Sequence, residues 1–114
     1  MSNLKKLIEP FNWIEDDGQF TVCLNVGEYC DDLFKIRESE GFIGNGYDWE
    51  SLALVFLEEK LPKLQNELEF DSEAGMFCVY SDNKNALEKF ILGFKEACKD
   101  KEVIKDLFSR AELQ

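Results

Sequence analysis

Between residues 84 and 98 the apolar side chains Ala86, Leu87, Phe90, Ile91, Phe94, Ala97 and Cys98 recur at helical spacing. A one-sided stripe of this kind cannot be buried within its own helix. It demands an apolar surface built elsewhere in the chain. The segments able to build one have a different period. In Gln19–Val26, Phe20, Val22, Leu24 and Val26 point one way, while Thr21, Cys23 and Asn25 point the other. Phe11–Glu15 reads as a preceding strand, and Asp16-Asp17-Gly18 between them is a strong turn signal. Trp13 and Cys23 leave the outer face of this first hairpin less than fully polar.

A second hairpin is predicted from Leu68–Asp71 and Met76–Ser81 around Ser72-Glu73-Ala74-Gly75. In its second strand Phe77 and Val79 face opposite to Met76, Cys78 and Tyr80, so both faces are apolar. Such a strand is central and covered on both sides, or has one side at an interface. Between the hairpins, Glu28–Ser39 reads as a modest helix, with Tyr29, Cys30 and Leu33 sharing its buried stripe. Trp49–Leu61 reads as a helix apolar almost all round its first two turns, N-capped by Asp48 with Ser51 at N3 and closed near Pro62. Ser81-Asp82-Asn83 supplies N-cap candidates for the helix from Lys84, and a last helix spans roughly Lys101–Leu113. The order ββααββαα predicts an α+β fold, an antiparallel sheet of two β-hairpins with about four helices packed on it. With 114 residues and 45% apolar content the chain has material for one core, hence one domain over residues 1–114.

Charge narrows the function. Thirteen Lys and Arg stand against 24 Asp and Glu, a net charge of −11. Phosphate contacts dominate nucleic-acid affinity, so nucleic acid is a poor partner, and anionic membranes repel such a chain. A basic protein is the natural counterpart. The start of the chain lacks the apolar core of a signal peptide, and the longest apolar run, Leu52–Leu57, is too short to span a bilayer. With no C-x-x-C pair, Cys23, Cys30, Cys78 and Cys98 read as free thiols of a cytoplasmic protein.

The absence of histidine removes Ser-His-Asp and Cys-His arrangements and His-ligated zinc. A carboxylate hydrolase would pair Asp48 or Glu50 with Asp71 or Glu73, two acids about 5–10 Å apart with one pKa raised. Among so many acids, chance pairs are expected. Asp71-Ser72-Glu73-Ala74-Gly75 lacks the spacing of a calcium loop. Gly44-Asn45-Gly46 lacks the spacing and the lysine of a phosphate cradle, and two glycines suit a sharp entry to a helix. No catalytic residue, metal or cofactor is therefore expected. Tyr47 and Trp49 straddle Asp48 and serve either as structural anchors or as part of a binding surface. The acids Asp16, Asp17, Asp31, Asp32, Glu38, Glu40 and Glu73 read either as a solvated face or, with Tyr47, as a rim that docks a cationic protein.

Two blocks of sequence resemble the immunity protein 51 family. One is Gly41-Phe42-Ile43-Gly44-Asn45-Gly46-Tyr47-Asp48-Trp49-Glu50-Ser51-Leu52-Ala53, followed by a Glu-rich helix end with Pro62. The other is Phe70-Asp71-Ser72-Glu73-Ala74-Gly75-Met76-Phe77, with Asn85-Ala86-Leu87 after it. Together they cover roughly residues 11–98. The resemblance implies a bacterial, non-catalytic protein, encoded beside a toxin that it neutralises by direct binding. Occlusion of a basic nuclease groove is the mechanism it suggests. Gly44, Asn45, Gly46, Asp48, Trp49, Phe70, Asp71 and Gly75 are then expected to serve the fold, and the flanking acids the partner. The alternative is a small acidic regulatory or scaffold domain that binds an endogenous protein.

Overall fold

A computed structural model describes residues 3–113. After a short helix α1 (Leu4–Leu7), the first hairpin is β1 (Asn12–Asp16) and β2 (Gln19–Asn25), and the second is β3 (Glu69–Phe70) and β4 (Met76–Ser81). Between them lie α2 (Asp31–Lys35), a 3₁₀ turn at Glu38–Glu40, α3 (Gly46–Lys60) and a 3₁₀ segment at Pro62–Glu67. The chain ends in α4 (Lys84–Lys99) and α5 (Lys101–Phe108). The four strands form one antiparallel sheet in the order β1-β2-β4-β3, so the hairpins join through their second strands. This is the α+β architecture expected from the order of the elements.

Register fixes what each face of the sheet carries, because directly opposed residues share a face. Trp13 opposes Val22, which opposes Val79, which opposes Phe70, and Leu24 opposes Phe77. These side chains meet the helices. Trp49 of α3 is 1% exposed and touches the rings of Phe11, Tyr29, Phe34, Phe77 and Phe94. Phe90 and Phe94 stack along the apolar stripe of α4, and Phe56 joins them from α3. Trp13 therefore belongs to the core face and not to the outer one. Its position opposite Val22 decides this.

Three helices differ from the sequence reading. The segment 28–39 is not one helix: Cys30 sits in the left-handed region with φ 53°, no side chain caps α2, and Arg37 leaves helical geometry. Tyr29 and Cys30 pack on the core from the chain before α2, so they need not share its stripe. Helix α3 starts three residues earlier than expected, capped by Asn45 and not by Asp48. The last helix stops at Phe108, where Ser109 closes it.

Candidate functional site

The two-glycine loop is a closed hydrogen-bonded knot. Asn45 is extended, and its Oδ1 accepts from the Asp48 amide at 2.8 Å. Asp48 reaches back, and its Oδ2 accepts from the amides of Ile43 at 2.7 Å and Gly44 at 2.8 Å. Gly44 has φ +81°, which an L side chain rarely tolerates. The amide of Gly46 donates to the carbonyl of Ala74 at 3.0 Å. Every amide that a phosphate would need at Gly44 and Gly46 is already committed. Asp48, 3% exposed, spends its carboxylate on the backbone, whereas Asp71 and Glu73 lie in the exposed second turn. Among the described residues no group of three or more Cys, Asp or Glu is placed to hold a metal ion.

The acids grouped by chain order fall in four places. Asp16 and Asp17 make the β1–β2 turn, where Asp17 (φ 53°) and Gly18 (φ 84°) give the left-handed pair a tight hairpin requires. That turn lies at the end of the sheet where β4 finishes, and Asp17, Glu67, Glu69 and Asp82 line a cleft there without a Lys or Arg. Glu73 lies at the opposite end, in the turn before β4, whereas Asp31 and Asp32 at the start of α2 line a cleft with Lys99, Lys101 and Lys105. The Asp31 Oδ1 is 3.4 Å from the position of a Cβ at Gly44. Glu38 and Glu40 belong to the helical layer instead. There Arg37 donates to both Glu40 oxygens and to the carbonyls of Phe108 and Ala111. The same guanidinium holds the Glu40 carboxyl below the usual carboxylate range. Asp32 lies 3.7 Å from Lys35, both exposed.

The sequence left the Met76, Cys78 and Tyr80 side of β4 either covered or at an interface, and the structure leaves that side opposite the helices; its want of cations was not singled out. Ile14, Thr21, Tyr80 and Glu69 form one row across all four strands, and Asn12, Cys23 and Cys78 form the next. Ile14 is 47% exposed, while Thr21, Met76 and Tyr80 are half-buried. The signal was present: residues 12–25 and 69–81 contain no Lys or Arg. A second surface lies beside α3, where Ser51, Leu54, Glu58, Arg110 and Leu113 line a cleft of about 450 Å³. Tyr47, 42% exposed, is one turn before Ser51 on that helix, and the Ser51 hydroxyl has no hydrogen-bond partner among the described residues. Arg110 there grips Glu59 and Asp106.

All four cysteines are free thiols. Cys23 and Cys78 are cross-strand neighbours in contact, and burial together with Cys23 pushes the Cys78 thiol up to about 12. Cys30 is half-buried, and hydrogen bonding from Cys98, with smaller help from Tyr29 and Lys95, outweighs burial and brings its thiol down to about 7.

No helix among the described residues is long and apolar enough to cross a membrane. Comparison with curated proteins and with solved structures returned no match. The family comparison did: the model of immunity protein 51 matches residues 11–113, taking in both sequence blocks, the whole sheet and helices α2 to α5. The chain therefore belongs to the immunity protein 51 family.

Proposed function

We propose that the protein neutralises a cognate bacterial toxin domain by binding it and occluding its working surface, without chemistry of its own. Family membership carries the reading, since an immunity protein has a toxin as its partner. The charge supports it: at −11, the chain suits a toxin with a basic groove, and a nuclease domain is the class that needs one. The Gly44–Asp48 knot supports a division of labour in which the family motif serves the fold and exposed acids serve the partner. Four free thiols suit action in the reducing cytoplasm, where a toxin would otherwise do its damage. Co-expression with a candidate toxin domain, sought in the reading frames next to the gene, tests this. Growth should be rescued and the two proteins should co-purify one to one. Rescue with no detectable complex would sink occlusion.

A further inference from the structure

We infer that the helix-free face of the sheet is the surface that meets the toxin, and that the toxin presents to it an apolar patch ringed by Lys and Arg. The inference rests on the immunity reading above and deepens it. The rings of α3 and α4 pack on the Phe77 side of the sheet, leaving Ile14, Thr21, Met76 and Tyr80 as a shallow apolar centre on the other side. Cys23 and Cys78 lie between them with little exposed surface and keep that centre smooth.

Charge selects the occupant. Asp16, Asp17 and Glu69 stand at one end of the face and Asp71 and Glu73 at the other. Among the described residues no Lys or Arg is paired with any of them. All 13 cations of the chain lie outside residues 12–25 and 69–81, with six of them, Lys84 to Lys105, on α4 and α5. The strands and their turns thus hold six acids and no cation, with Glu15 alone facing a lysine, Lys84. Residues 84–108 hold six cations against five acids, so the sheet side is more negative than the α4–α5 side. A second copy of this chain would set the same acids against each other, which disfavours self-association through this face. A cationic protein surface gains at both ends and in the middle. The groove beside α3 also holds Glu58 and Glu112, unpaired among the described residues, but Arg110 stands in its wall gripping Glu59 and Asp106, whereas the strands of the sheet carry no Lys or Arg. It therefore offers a basic partner less.

The test uses a catalytically inactive copy of the toxin domain that the co-expression experiment identifies, with affinity measured by calorimetry. Ile14→Lys/Tyr80→Lys adds two positive charges to the sheet face, and Leu54→Lys/Leu113→Lys adds two beside α3. Both are compared with wild type at matched thermal stability. The sheet variant should lose about 100-fold or more in affinity, because like charges brought together at an interface cost several kcal/mol, and the α3 variant should lose less than about threefold. An unchanged sheet variant, or an α3 variant that loses as much, overturns the inference while the immunity reading stands. Wild type that fails to bind the domain overturns the immunity reading itself, so the two failures are separable. Carbodiimide labelling of the unaltered protein guards against misfolded variants. Asp16, Asp17, Asp71 and Glu73 should be protected in the complex and Glu96 and Glu102 should not; the reverse pattern overturns the inference.

Discussion

Gly46 packs its backbone so tightly on the carbonyl of Glu73 that a Cβ at Gly46 would lie 1.9 Å from that oxygen. The amide of Gly46 donates to Ala74 in the same contact. The two sequence blocks that carry the family resemblance are thus the two sides of one joint. The entry to α3 is pressed onto the turn of the second hairpin, and only a residue without a side chain fits.

Gly46→Ala should therefore destabilise the fold by about 3 kcal/mol or more, beyond ordinary overpacking, because backbone and not a flexible side chain must yield. That corresponds to a melting temperature lower by roughly 12 °C or more for a domain of this size. Gly75 is the control from the same joint. A Cβ there meets nothing within 4 Å and its φ is not positive, so Gly75→Ala should stay within about 1 kcal/mol of wild type. Equal melting of the two variants would refute the joint as a steric constraint.

Trp49→Ala removes the ring against which Phe11, Tyr29, Phe34, Phe77 and Phe94 pack. The expected loss is about 3–5 kcal/mol, a large share of the stability of a small domain. Urea unfolding measures it. A variant that folds as stably as wild type and only loses toxin binding would move Trp49 from the core to the interface.

Asp48→Ala leaves the amides of Ile43 and Gly44 without their acceptor, at about 1–3 kcal/mol for each group that water cannot reach. Asn45→Ala removes one cap bond and should cost about 1 kcal/mol. A denaturant series that ranks Asn45→Ala as the more damaging change would contradict the knot described here.

The reading from sequence succeeded where structure is set locally. Alternation in residues 19–26, the Asp16-Asp17-Gly18 turn and the stripe of α4 each carry their own period, and each element formed where that period placed it. It failed where the outcome depends on remote partners. Asp48 is a good N-cap by type, but Asn45 takes the cap because Gly46 must meet Ala74, a contact no local pattern contains. The face taken by Trp13 follows from its pairing with Val22, and the sheet order follows from β2 meeting β4 across 50 residues of chain. The same long-range pairing decides which acids are neighbours. Asp17 shares a cleft with Glu67, Glu69 and Asp82, while Glu40 is turned toward Arg37 in the helical layer.

The thiols should separate by reactivity. A pKa lowered to about 7 makes Cys30 half thiolate near neutral pH, so its alkylation by iodoacetamide should rise through pH 6–8 and then level off. Cys78, raised to about 12, and Cys98, raised well above the usual thiol range and buried, remain thiols throughout that range and should react after Cys30. Peptide mapping after timed alkylation reads all three. A Cys30 rate that still climbs tenfold per pH unit at pH 9 would show that Cys98 and Lys95 do not stabilise its thiolate.

The exposed acids divide into two groups. Asp16, Asp17, Asp71 and Glu73 lie about the open sheet face with no paired cation among the described residues, whereas Glu40 is held by Arg37. Charges of the first kind act at a distance and steer encounter. A variant with Asp16→Asn, Asp17→Asn, Asp71→Asn and Glu73→Gln should associate about tenfold more slowly with the toxin domain at low salt, with a flatter dependence on ionic strength. Asn suits position 17 because it tolerates the positive φ there. Neutralising Glu38 and Glu40 instead should leave the salt slope nearly as it was, since the field of Glu40 is already cancelled by the guanidinium beside it. Stopped-flow association across a salt series, at matched stability, compares the three proteins. If all three share one slope, the sheet-face acids are a solvated surface and steering plays no part in how this protein finds its partner.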